Sequence, residues 1–209
     1  MTDDMKSLRN TLGVLGILLP ILSLFFNLAF GQHYNPPGVL QSISATHYSS
    51  AYLLFEGLVF STGLFLFHYR GYDIADRVLC IIAGSGAVGL SLFPCSLSGA
   101  QTKNFLMMSQ YHSNIIHLIM AAVFFGTLAW IIGFQFTKTN GSWVTGSKII
   151  RNRLYISCSI IMVASLLAGF GGHGLFSWKY SVYIGETVAL WAFGIAWLTK
   201  GGMWLKDQI

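Results

Sequence analysis

The sequence predicts an all-α integral membrane protein, a single bundle of six transmembrane helices over residues 1–209 with both termini in the cytoplasm. Three observations carry this prediction. Hydrophobic residues make up 54% of the 209-residue chain and charged residues only 9%, against about 25% charged residues in a soluble domain. The apolar residues fall into six blocks, each near the length that a bilayer demands. Lys and Arg are concentrated on one side of those blocks.

The first three blocks each carry a local signal. The first follows Lys6 and Arg9, and its apolar region of about 20 residues exceeds the core of a cleaved signal peptide. It is therefore interpreted as a retained span. The second block follows an outer loop in which two prolines exclude a regular helix. The third is the shortest: its glycines predict close helix packing, and Pro94 marks its end.

The second, fourth and sixth blocks share one pattern, with polar residues in the outer half and a mostly apolar inner half. A basic, glycine-containing segment precedes the fifth block and is interpreted as lying at the anionic inner membrane surface. No linker divides the chain into domains. The predicted spans are residues 11–31, 50–68, 78–94, 113–135, 154–172 and 181–199.

The distribution of positive charge predicts the orientation. With the N-terminus inside, the outer segments hold only Lys103 and Lys179 of the twelve Lys and Arg residues. This bias predicts cytoplasmic termini and an even number of spans. The charges are interpreted as topology signals, so no nucleic-acid partner is predicted. The three cysteines have no metal-type spacing, and no disulfide within the chain is expected.

Three ionisable residues lie well inside the predicted spans: Glu56, His117 and Glu186. Each lies five or six residues past the outer end of its helix, about 8 Å below the boundary at 1.5 Å per residue. Asn27, near the outer end of the first helix, joins the same layer. Spacings of three or four residues place further polar side chains on the same faces. The candidates from this reasoning are Glu56, His117, Glu186, Asn27, Tyr52, Tyr183, Ser113 and, as a cap from the outer loop, His47.

These groups are expected to face the bundle interior, because a charge at the centre of a span costs about 2.5–3.5 kcal/mol on insertion scales. A protonated His117 between the two carboxylates would satisfy all three groups, and so would one carboxyl kept neutral. Two interpretations stay open: a polar pocket that opens to the outside, and a hydrogen-bonded cluster that fixes helix registry. Zinc accepts such a mixed nitrogen and oxygen set, but no local ligand spacing supports it. No metal, cofactor or catalytic residue is predicted.

Three stretches are distinctive in combination: SISATHYSSAYLLFEGLVFSTGLFLF, IIHLIMAAVFFG and VYIGETVALWAFGIAWL. The DRAM/FRAG/SFK-like family of six-helix membrane proteins has a similar feature at each of these places. Its second helix is entered through a segment that contains IS, its fourth helix opens with a His, and its last helix carries a Glu near the outer end. The chain resembles that family, with Ser44, His117 and Glu186 matching, and with Ala45 and Thr187 departing from its usual Asp and Trp. FGIAWLTKGG resembles the endings of a related bacterial group of membrane proteins.

The resemblance implies an involvement with membrane lipids, no established catalytic centre and a bacterial inner (plasma) membrane, and it adds Ser44 to the candidate ligand-binding residues. We expect the chain to be a polytopic membrane protein. Its expected function is to bind a lipid head group or a small polar ligand in an outward-facing pocket. One alternative is a lipid hydrolase with zinc-activated water, resembling the ceramidase/progestin-receptor-like superfamily. Another is a proton-coupled transporter that uses Glu56 and Glu186 as carriers.

Overall fold

The computed structural model describes residues 3–30, 40–71, 73–97, 106–139 and 145–205, and all regular structure in these ranges is helical. A 3₁₀ turn at Ser44–Tyr48 precedes the second helix, and a π turn at Ile131–Gln135 extends the fourth. The six α-helices are α1 (Asp3–Phe30), α2 (Tyr52–His68), α3 (Ile74–Leu92), α4 (Gln110–Trp130), α5 (Gly146–Phe176) and α6 (Ser181–Lys200).

Five of these helices are long and apolar enough to cross a membrane, which confirms the helical, membrane-type fold. The exception is α2, an apolar helix of 17 residues, at the lower limit for a span. Helices α3, α4 and α5 begin earlier than predicted, and each has a side-chain cap at its start. The Asp73 side chain accepts a hydrogen bond from the backbone N–H of Asp76 at 2.9 Å. The Thr145 hydroxyl accepts one from the N–H of Lys148 at 3.2 Å.

The helices form two layers of three. In one layer α6 packs between α1 and α5, and in the other α3 packs between α2 and α4. The layers meet mainly at their edges, where α1 contacts α2 and α4 contacts α5. These contacts between layers are much sparser than the contacts between helices of the same layer. Accordingly α6 is the most buried of the five long helices and α5 the least.

Glycines allow the close approach within each layer. A Cβ at Gly194 of α6 would lie 2.7 Å from the carbonyl oxygen of Gly13 in α1. A Cβ at Gly63 of α2 would lie 2.9 Å from the carbonyl oxygen of Gly84 in α3. Small residues at such crossings let membrane helices gain packing contacts where lipid provides no hydrophobic driving force.

An aromatic cluster joins the layers at one end of the bundle. The Trp197 ring of α6 lies 5.0 Å from Tyr69, which follows α2, and 5.1 Å from Phe136, which follows the π turn. At this end the Arg9 side chain donates to the Tyr69 hydroxyl at 3.1 Å and to the Lys200 carbonyl at 3.4 Å. The start of α1 and the end of α6 therefore lie together, at what we call the termini end. The opposite end is the distal end.

Candidate functional site

At the distal end, α6 holds the segment of residues 40–51 against the bundle. The Glu186 carboxylate accepts a hydrogen bond from the backbone N–H of Ile43 at 2.5 Å. The backbone N–H of Tyr183 donates to the Gln41 carbonyl at 3.0 Å, and its hydroxyl donates to the Pro20 carbonyl of α1 at 2.9 Å. Glu186 and Tyr183, one turn apart, therefore tie this segment and α1 to α6.

Polar side chains of α4 hold a second segment, residues 93–97, in the same way. Nδ1 of His117 lies 2.7 Å from the Phe93 carbonyl, and because a carbonyl only accepts, Nδ1 carries the proton. The Ser113 hydroxyl donates to the Pro94 carbonyl at 2.9 Å. Asn114 accepts from a backbone N–H of the same segment at 2.7 Å. His117 and Ser113 are both buried, so these bonds satisfy polar backbone where water has little access.

The two segments also bond to each other. The Tyr48 hydroxyl donates to the Cys95 carbonyl at 2.5 Å. The Gln110 amide donates to that hydroxyl at 3.3 Å and to the Leu97 carbonyl at 3.2 Å. Residues 40–51 and 93–97 thus form one roof over the distal end, and we refer to residues 40–51 as the roof segment. Tyr48 and Gln110 were missed by the sequence reasoning, although Gln110 lies one turn before the polar face of α4.

The expectation that Glu56, His117 and Glu186 satisfy one another was wrong, because each has a different partner. Glu56 pairs with His47, with 2.5 Å between its carboxylate oxygen and Nδ1. His117 and Glu186 bond to backbone groups of the two segments. The reason is that backbone donors and acceptors folded onto a bundle must themselves be paired. Within the described ranges, no group of three His, Cys, Asp or Glu side chains is placed to hold a metal ion.

Beneath the roof, a cleft of about 500 Å³, including its open part, lies between the two helix layers. Its polar lining residues are Ser44, Thr62 and Glu186, and the Thr62 hydroxyl donates to a carbonyl of its own helix. The α6 residues that line it run from Glu186 to Phe193, about 10 Å along the helix axis at 1.5 Å per residue. The apolar lining residues are Leu15, Gly16, Leu19, Ile43, Phe55, Val59, Leu90, Phe124, Phe125, Leu190 and Phe193.

The other predicted site residues lie around this cleft rather than in it. Of the nine candidates, Ser44 and Glu186 line it. The His47–Glu56 pair is partly exposed, with side-chain exposures of 16% and 28%. Tyr52 lies at the bundle surface, 38% exposed, and Asn27 is buried in α1. A ligand-binding role for the nine residues stays a prediction.

Comparison of the chain with protein-family models, with curated proteins and with solved structures finds no match. The resemblance to the DRAM/FRAG/SFK-like family therefore stays a prediction that rests on the three quoted stretches.

Proposed function

We propose that the protein binds a membrane lipid, with an acyl chain in the cleft and the head group beneath the roof. The observation that carries the proposal is the cleft. It is lined mainly by apolar side chains from both layers, and its carboxyl-bearing residue, Glu186, lies at the distal end. An acyl chain would fill the apolar part, where an empty cavity loses dispersion contacts.

The chemistry of the distal end favours a head group that donates hydrogen bonds. A carboxylate accepts hydrogen bonds at two oxygens and repels a bare phosphate. Ser44 also lines the cleft, and its hydroxyl can donate or accept. A hydroxyl- or ammonium-bearing head group therefore fits Glu186 and Ser44 better than a phosphate alone. A small polar ligand would satisfy these two residues but would leave the apolar part of the cleft unfilled.

The membrane arrangement proposed with this function has six spans, namely the five long helices and α2. In this arrangement the end of the bundle that we call the termini end faces the cytoplasm. The excess of Lys and Arg in the segments on the side of the termini supports this orientation. The cleft then opens toward the outer leaflet of a bacterial plasma membrane. The resemblance to the DRAM/FRAG/SFK-like family, which is linked to lipid distribution, supports the same assignment.

Filling the cleft tests the proposal. Val59 lines the cleft and is 6% exposed, whereas Val163 of α5 is 45% exposed. We expect Val59→Phe to lower the amount of lipid per protein chain after detergent purification, measured by lipid mass spectrometry. The same substitution at Val163 should leave that ratio unchanged.

Two results would contradict the proposal. One is a wild-type preparation in which no lipid species is enriched over the detergent-exchanged background. The other is equal enrichment in the wild type and in Val59→Phe. Thermal unfolding of both variants provides the control for folding, because the added ring at position 59 also introduces strain.

A further inference from the structure

Cationic side chains from three helices converge at the termini end, opposite the lipid cleft. The ammonium groups of Lys148 and Lys200 both donate to the Phe136 carbonyl, at 3.3 and 3.1 Å. Arg9 donates to the carbonyl of Lys200 at 3.4 Å. Lys148 and Arg151 lie three residues apart in the first turns of α5, so they share a face. Two ammonium groups at one carbonyl oxygen form an unusually concentrated positive charge.

The balance of charge around Lys200 favours an anion. The groups whose charge acts on its ammonium are Lys148, Arg9 and Arg151 with the same sign, and Asp76 with the opposite sign. Among the residues that the structure describes, four cationic side chains and one carboxyl group therefore lie close together here. Repulsion between like charges is strong where water is partly excluded. A bound anion would relieve that repulsion, since Lys and Arg both bind phosphate oxygens through charge-assisted hydrogen bonds.

The region is also accessible. Lys148, Arg151 and Lys200 are half-buried rather than enclosed. The Arg151 guanidinium donates to the Leu205 carbonyl at 3.1 Å, so the segment that follows α6 lies beside the start of α5. The first turn of α5 adds the positive end of its helix dipole. These helix ends lie at the level of the lipid head groups if the helices span the membrane.

We propose that Lys148, Arg151 and Lys200 bind a phosphate group at the termini end, presented by an anionic phospholipid of the adjacent leaflet or as free phosphate. This site differs from the cleft in position, being at the opposite end of the bundle, and in chemistry, being cationic rather than carboxylate-bearing. The two ends of the bundle would thus bind ligands of different chemistry.

The test compares the two sources of phosphate. The purified full chain is reconstituted in nanodiscs of phosphatidylcholine alone or with a rising fraction of phosphatidylglycerol, and separately titrated with inorganic phosphate in phosphatidylcholine nanodiscs. The readout is the shift in the thermal unfolding midpoint, from which an apparent affinity is obtained. A shift with phosphatidylglycerol identifies a lipid phosphate, and a shift with inorganic phosphate identifies the free ion.

Removing the charges should remove the effect. A hydrogen bond to a charged group contributes about 1.5–3 kcal/mol, or about 10- to 150-fold in affinity, so Lys148→Gln and Arg151→Gln should each weaken binding at least tenfold, and the double variant further. Arg153→Gln, which removes one charge as each single variant does but at an exposed position of the same helix, should weaken it at most about fivefold, the contribution of any cation near an anionic surface. Lys148→Arg should restore most of the affinity that Lys148→Gln loses.

The proposal is overturned if neither phosphate source shifts the midpoint, or if Arg153→Gln weakens binding as much as Arg151→Gln. The second result would mean that diffuse surface charge, rather than a site, attracts the anion. If the double variant does not fold, the two single variants give the same comparison with Arg153→Gln.

Discussion

Replacement of Glu186 by alanine should loosen the attachment of the roof segment to α6. The carboxylate is the acceptor for the backbone N–H of Ile43, a residue that is only 3% exposed. A hydrogen bond to a charged group contributes about 1.5–3 kcal/mol, and a buried donor left without a partner costs about 1–3 kcal/mol. The N–H of Ile43 would therefore be satisfied only if the segment opens to water.

The size of the effect follows from these energies. At about 1.4 kcal/mol per tenfold change, a loss of 1.5–3 kcal/mol raises the opening equilibrium of the segment by about 10- to 150-fold. Hydrogen–deuterium exchange with mass spectrometry on peptides that cover residues 40–51 measures this directly. We expect exchange at Ile43 to accelerate at least tenfold in Glu186→Ala. In Glu186→Gln the acceleration should be smaller, because the amide oxygen still accepts a hydrogen bond.

Thr187 provides the matched control. It follows Glu186 directly, and its hydroxyl donates to the Tyr183 carbonyl of the same helix at 2.8 Å. Thr187→Val should leave exchange in the roof segment unchanged. Unchanged exchange in Glu186→Ala would refute the reasoning, since the segment would then be held by other contacts. Equal acceleration in Thr187→Val would trace the effect to a general loosening of α6.

Two further predictions concern helix packing and pH. Gly194→Ala should destabilise the protein by about 1–3 kcal/mol through overpacking, because the added Cβ would lie 2.7 Å from a carbonyl oxygen of α1. Gly57→Ala should not destabilise it, because no atom lies within 4 Å of a Cβ at that position. Thermal unfolding measures both effects. The Lys138 ammonium, 2.7 Å from Asp73, holds the pKa of that carboxyl below its ordinary value. Its stabilising contribution is thus present above about pH 4 and lost as the pH falls further. The thermal midpoint of Asp73→Asn should lie below that of the wild type at pH 7 and converge with it at acid pH. In a Lys138→Gln background the difference should shrink to the contribution of the α3 cap. A difference that persists at acid pH, or that is undiminished in that background, would contradict this assignment.

The helices were predictable because the apolar lengths that a membrane requires are explicit in the sequence. The ends of the helices were less predictable. The span predicted to begin at residue 78 begins at Ile74, because Asp73 caps its first turn. A capping residue acts through a single hydrogen bond, and hydropathy does not register it. The two-layer arrangement was not predicted either. It depends on which glycine faces which, as Gly13 and Gly194 do, and that is a property of pairs of helices.

The polar residues at the distal end were identified, but their pairing was not. Depth and helical spacing select Glu56, His117 and Glu186, since both follow from counting residues along a helix. Counting does not register the backbone groups of an irregular segment that folds back onto the bundle. Those groups are the partners that His117 and Glu186 have in the structure. The polar side chains were matched to one another because the sequence shows side chains and conceals the positions of backbone donors and acceptors.

Glu186 connects the roof to the proposed ligand. Its carboxylate receives the N–H of Ile43 and also lines the cleft. A head group that bonds to this carboxylate therefore either adds to the roof contact or replaces it. In both cases ligand binding and the position of the roof segment are thermodynamically linked. The coupling free energy by which the ligand shifts the roof equals the one by which the roof position changes ligand affinity. A ligand that strengthens the contact slows exchange at Ile43, and one that displaces the N–H accelerates it. The sign of that change, measured on lipid-loaded and lipid-depleted protein, would distinguish a roof that closes over its ligand from one that opens to admit it.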